Sequence, residues 1–268
     1  MKYFLDTEFL EGTQKSFFGK TKPTIDLISI GIVSEDGREY YAISKDFNLK
    51  EVWNRWDGEY YEQTAYEKYH QFPMKKKYWI RENILKPIWS EIVNDHLSVF
   101  DDWSFNYKNL KKALIKYGKS NKQISMEIID FCHHETFKKY NDSFLYLDEI
   151  LDNISNWDVE DKPEFYTYYG DYDWVVFCWL FGRMIDLPKG FPMYSKDLKQ
   201  ILDEKQEMRN KLKKIIDETK VLKKYEGNQL VNPLNLKDHP DYPKQKNNHN
   251  ALADALWNKS LYEFLQKI

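Results

Sequence analysis

Seven residues near the N-terminus, Tyr3-Phe-Leu-Asp-Thr-Glu-Phe9, alternate with a period of two. Side chains at i and i+2 of a strand share a face. Tyr3, Leu5, Thr7 and Phe9 therefore point one way, and Phe4, Asp6 and Glu8 the other. The first face suits a core. The second carries two carboxylates that reach one point in space, and burying such a pair without a partner is costly. The strand is thus either an edge whose acids face water or the floor of a site where a hard divalent cation takes carboxylate oxygens.

The rest of the chain sets the fold class. Residues 24–34 are an apolar run rich in β-branched side chains, and Glu35-Asp-Gly-Arg38 leads into a second run, Glu39 to Ser44. An Asp-Gly pair between two such runs predicts a hairpin. Residues 10–23, with Gly12, Gly19 and Pro23, read as a loop, and 77–93 as a short helix broken at Pro87. Helical periodicity marks 105–117 and 121–154. Glu164–Tyr169 reads as a strand, followed by a helix over Trp174–Ile185. A Lys/Glu-rich helix over 195–224 fits half-burial better than an RNA clamp. Residues 226–248 read as a loop and about 250–267 as the last helix. This order predicts an α/β layered domain rather than a bundle. Without a repeat or a Gly/Ser linker, one domain over 1–268 is expected.

The 268 residues allow a large core, with 42% hydrophobic and 17% aromatic side chains. A net charge of −3 excludes a polycation, so any nucleic acid must be held by local patches and metal ions. Cys132 and Cys178 lack the spacing of a zinc module or a disulfide framework and read as core thiols. No signal peptide or membrane span is evident, and a soluble cytoplasmic protein is expected. His70–Tyr78 mixes bases with aromatics, as a solvated loop or a single-strand track would.

Three more acids and a histidine complete the polar set. Asp171 and Asp173 lie between a strand and a helix, where acids cap helices or ligands bind at strand ends. Spacing does not choose between them. His249 and Asp254 are five apart, about 140° apart on a continuous helix. They converge only if His249 lies in the loop before the helix. Asp254 sits among Ala251, Ala253 and Ala255, which permit close helix approach. One chemistry uses the whole set. Phosphodiester hydrolysis needs the phosphate charge neutralised and water made nucleophilic, which two divalent ions about 4 Å apart accomplish. A neutral histidine takes the proton from the attacking water.

Asp6-x-Glu8, Tyr172-Asp173 and His249-x4-Asp254 resemble the motifs of the DEDDh exonucleases of the RNase T and oligoribonuclease type. The sister group with tyrosine has it four before the last acid, where this chain has Asn250. Residues 3–10 and 24–44 are similar to the polyadenylate-specific 3′-exoribonuclease family, as are Trp79–Leu85, Tyr172–Gly182 and His249–Ala255. The resemblance implies an RNase H-like mixed β-sheet flanked by helices, with insertions at about 46–76, 95–160 and 205–245. It implies Asp6, Glu8, Asp173 and Asp254 as ligands of two Mg²⁺ or Mn²⁺ ions. Asp6 would bridge them, Glu8 and Asp254 would share one, and Asp173 would hold the other directly or through water. His249 is implied as general base, and Thr7 and Phe9 as substrate contacts. The implied partner is the 3′ end of single-stranded RNA, with adenylate preferred, and a homodimer is among the expected assemblies. The other readings are a DNA-preferring DEDDh exonuclease and a non-catalytic nucleic-acid-binding module.

Overall fold

The structure, a computed structural model, describes residues 1–15, 21–60, 75–96, 104–132, 162–219 and 235–268. Its main sheet has five strands: β1 (Lys2–Lys15), β2 (Thr21–Ser34), β3 (Glu39–Ile43), β6 (Glu164–Thr167) and β7 (Lys196–Asp197). The order is β3-β2-β1-β6-β7. The first three strands are antiparallel, while β6 and β7 run parallel to β1. This mixed sheet flanked by helices is an α/β architecture, consistent with the RNase H-like fold that the resemblance implies. The short β4 (Glu59–Tyr60) and β5 (Lys75–Lys76) pair separately.

The helices are α1 (Leu49–Asn54), α2 (Lys86–Asp95), α3 (Tyr107–Tyr117), α4 (Asn121–Cys132), α5 (Asp171–Phe181), α6 (Leu198–Thr219) and α7 (Ala251–Lys267). Tyr3 and Leu5 bury on one face of β1 with Ile124, Phe165 and Phe177, under α4 and α5. Phe4 buries on the opposite face with Leu261 and Leu265 of α7, and Leu10 with Ile84, Ile88 and Leu110. Burial of each large apolar side chain contributes roughly 1.5–3 kcal/mol. Asp6 and Glu8 fall between the Phe4 and Leu10 clusters, between α7 and the α2–α3 pair. The alternation predicted for β1 is the one observed.

The hairpin turns as expected at Gly37, whose φ is 92°. The expected loop over 10–23 is instead strand wherever it is described: Glu11 to Lys15 pair with Ile25 to Thr21. This ribbon runs beyond β3, which pairs only with Ser29–Val33, so among the described residues β2 has a free edge there. A free edge tolerates Pro23, which has no N–H to donate. Nor does Pro87 break its helix: the chain stays helical across the junction between a π-helical turn at Arg81–Leu85 and the first turn of α2, where Pro87 lies.

Other boundaries move because tertiary contacts set them. The helix expected from Trp174 begins at Asp171, ends at Gly182 (φ 118°), and gives way to a 3₁₀ turn at Met184–Asp186. The first residues expected in the long helix form β7 instead, because Lys196 and Asp197 pair with β6. In α6, Leu198 and Leu202 are buried but Met208, Leu212 and Ile215 are exposed, so among the described side chains half-burial is seen in the first turns. The described part of 121–154 is helical to Cys132; the remainder, most of His70–Tyr78, and large parts of the expected insertions lie outside the described residues. Among the described residues no helix is long and apolar enough to cross a membrane.

Candidate active site

Asp6 and Glu8 lie on the α7 face of β1, one residue pair apart. Where Asp6 pairs across the sheet, the partner is Gly31 of β2. A Cβ on Gly31 would stand 2.3 Å from the Ala251 carbonyl oxygen and 2.4 Å from Leu252 N. Only glycine lets the first turn of α7 descend this far onto the sheet. Asn258, further along α7, donates from Nδ2 to the Leu5 carbonyl at 3.0 Å and anchors the helix to β1. The descent brings Asp254 to the two strand acids, and carboxylate oxygens of Asp6, Glu8 and Asp254 lie within 4.8 Å of one another. A bulge between Glu8 and Phe9 then shifts the register of β1 against β2, a device common beside functional sites.

Asp173 comes from α5 and lies outside the group of oxygens within 4.8 Å, although its charge acts on Asp6. It is buried in the first turn of α5, whereas Asp171 is exposed. Its Oδ1 accepts from the Thr7 backbone N–H at 2.9 Å and from the Thr7 hydroxyl at 2.6 Å. Burial thus separates two aspartates that spacing left equivalent. Thr7 is buried with its hydroxyl committed to this carboxylate, while Phe9 is half-buried with its ring 5.8 Å from that of Tyr172.

His249 lies in the turn before α7, as convergence with Asp254 requires. Its φ is 68°, and its backbone N–H donates to Asp254 Oδ2 at 2.9 Å. Its ring meets the Trp79 indole edge-on, with centroids 4.6 Å apart. The other Asp254 oxygen accepts from Gln245 Nε2 at 2.6 Å. Sequence reasoning did not single out Gln245 or the Trp79 contact. Gln245 lies in a polar loop that carries no periodic signal. Gly31, a lone glycine inside a β-branched run, was the legible sign of close backbone approach.

The electrostatics would suit a cation. Burial raises the Asp6 carboxyl well above the ordinary range, and the nearby Asp173, Glu8 and Asp254 charges raise it further. Burial, then Asp254 and Asp173, push Glu8 up to about 8. Burial pushes Asp173 up to about 6 against the two Thr7 hydrogen bonds, and burial also raises Asp254. Carboxylates this crowded resist ionisation unless positive charge joins them. The donor set is all oxygen, which fits Mg²⁺ or Mn²⁺ and not a thiophilic metal.

No family model matches the chain. It is similar to the 3′-5′ exoribonucleases MT2234.1 and Rv2179c of two Mycobacterium tuberculosis strains, CDC 1551 / Oshkosh and H37Rv. In each case it is 25% identical over 205 residues, covering 76% of this chain and 76% of the relative. That similarity supports a 3′–5′ exonuclease. The α/β fold and the acid cluster are in keeping with it.

Proposed function

We propose that this chain is a cytoplasmic, metal-dependent 3′–5′ exoribonuclease that prefers adenylate tracts and releases nucleoside 5′-monophosphates. The observation that carries the reading is the convergence of Asp6, Glu8 and Asp254 within 4.8 Å beneath a turn bearing His249. The relatives, whose names state 3′-5′ exoribonuclease, support RNA as the substrate class.

Asp6, Glu8, Asp254 and Asp173 would hold two divalent ions, Mg²⁺ or Mn²⁺, supplying charge neutralisation at the scissile phosphate and acidifying the attacking water. His249 accepts the proton of that water as its oxygen attacks phosphorus and the 3′-oxygen of the preceding nucleotide departs. Thr7 fixes Asp173, and Gln245 with the His249 backbone fixes Asp254, so the acids meet the substrate in one arrangement. Phe9 and the half-exposed Tyr172, whose rings meet on the α5 side of β1, would offer aromatic faces there for the terminal base.

The direct test uses 5′-labelled oligo(A), oligo(U) and single-stranded DNA with Mg²⁺ or Mn²⁺. Stepwise 3′ shortening, fastest on oligo(A) and absent after Asp6 substitution, is expected. Faster digestion of the DNA would favour a DNA exonuclease, and metal-independent binding without product a non-catalytic module. His249→Ala should lower kcat by about 10²–10⁴-fold, the usual contribution of positioned proton transfer. Metal binding, followed by calorimetry, should survive, because the acids remain.

The raised carboxyls also make stability depend on pH. An acid whose pKa is higher in the folded chain binds more protons folded than unfolded, so stability falls as pH rises. With Glu8 at about 8 and Asp173 at about 6, the loss spans the ordinary carboxylate range up to about pH 8. EDTA-treated protein should therefore melt progressively lower from pH 5 to pH 8, and Mg²⁺ should raise the Tm more at pH 8 than at pH 5. A Tm independent of pH and metal would refute the frustrated acid cluster.

A further inference from the structure

We propose that Glu91 is a positioning residue for His249, acting through Asn250. The inference rests on the nuclease reading above. His249 and Asn250 form the turn that enters α7, and one helical stretch, from Trp79 through α2, grips both. At its start, the Trp79 indole abuts the His249 ring at an interplanar angle of 78°. Further along, Glu91 Oε1 accepts from Asn250 Nδ2 at 2.5 Å. Glu91 Oε2 accepts from the Tyr41 hydroxyl at 3.1 Å, so β3 holds the carboxylate from behind.

Asn250 is used at both ends of its amide. Its oxygen accepts from Ala253 N–H at 2.9 Å and caps α7. Capping requires only that oxygen, and serine or aspartate would serve. The amide nitrogen is the part that demands asparagine, and it is turned to Glu91. His249 meanwhile holds φ at 68°, a left-handed conformation that non-glycine residues keep only where surroundings over-determine it. Asp254 constrains its backbone, Trp79 its ring, and Glu91 the residue after it. A general base must be held within a fraction of an ångström of its working position, so loss of such a support lowers turnover rather than affinity.

The test uses the full chain with oligo(A) and Mn²⁺. Glu91→Ala and Asn250→Asp should each lower kcat by about 10–100-fold with KM nearly unchanged, as losses of supporting contacts do. Placed in a His249→Ala background, each should cost less than about twofold more, since the group being positioned is gone. Glu91→Gln combined with Asn250→Asp exchanges donor and acceptor and should recover most of the activity lost by Asn250→Asp alone. This pair also serves if Glu91→Ala does not fold. By NMR, the ring-shifted His249 imidazole signal, identified by its loss in His249→Ala, should move toward free histidine in Glu91→Ala or Asn250→Asp. Losses that add fully in the His249→Ala background, no recovery in the exchanged pair, or an unmoved signal would overturn the proposal. A wild-type chain without metal-dependent shortening would overturn the nuclease reading instead, while the imidazole signal still reports whether Glu91 holds the ring.

Discussion

Asp6→Asn is expected to abolish turnover, by at least about 10³-fold, while leaving the metal-free fold as stable as wild type or more so. The loss is large because Asp6 stands at the centre of the cluster: Asp173, Glu8 and Asp254 all act on its charge. Removing one electrostatic stabiliser from a preorganised site typically costs about 10²–10³-fold, and in the proposed function this one would also hold the ions that neutralise the phosphate. The gain in stability has the opposite origin. In metal-free protein the half-buried Asp6 has its pKa raised by desolvation and then by the like charges around it. An amide of the same shape removes that repulsion without opening a cavity. Mg²⁺ then has less to bind, and since a ligand stabilises the folded state in proportion to its occupancy, the Mg²⁺-induced rise in Tm should shrink with the activity. Melting curves with EDTA and with Mg²⁺, beside oligo(A) assays, measure both. A variant with near wild-type turnover, or a metal-free Tm several degrees lower, would count against the site.

Much of this site was legible because local rules wrote it. A period of two placed Asp6 and Glu8 on one face before any partner was known. The Asp36-Gly37 turn fixed the hairpin, and the five-residue step from His249 to Asp254 required the loop-then-helix break observed at Asn250. Harder to read were features decided by distant chain. Asp171 and Asp173 are equivalent in spacing, and burial against Thr7 separates them. The ribbon beyond β3 carries no apolar alternation, and its pairing shows only in the backbone register of β1 with β2. Lys196–Asp197 has a helical neighbourhood in sequence but a strand partner in space. Gln245 and Trp79 gain meaning only from what α7 brings to them.

Gly31→Ala should disable the enzyme without touching an acid. The added methyl would meet Ala251 O, Ala251 C and Leu252 N at 2.3–2.4 Å, all backbone atoms that no rotamer change can move aside. The first turn of α7 must therefore lift from β2. Overpacking of this kind costs about 1–3 kcal/mol, and Asn258 on Leu5 O resists the shift from the far side. The functional cost is greater than the energetic one. Gly31 is the cross-strand partner of Asp6, so the contact that fails is the one that sets Asp254 beside Asp6. A displacement of about 1 Å in a catalytic constellation can cost on the order of 10²-fold, and here it moves Asp254 together with the His249 turn bonded to it. The expected variant is folded, melts lower, binds Mg²⁺ weakly and shortens oligo(A) at least about 10²-fold more slowly. Far-ultraviolet dichroism, calorimetry with Mg²⁺ and the shortening assay separate these effects. Wild-type turnover in a folded Gly31→Ala chain would mean that the close approach of α7 to β2 does not set the position of the third acid.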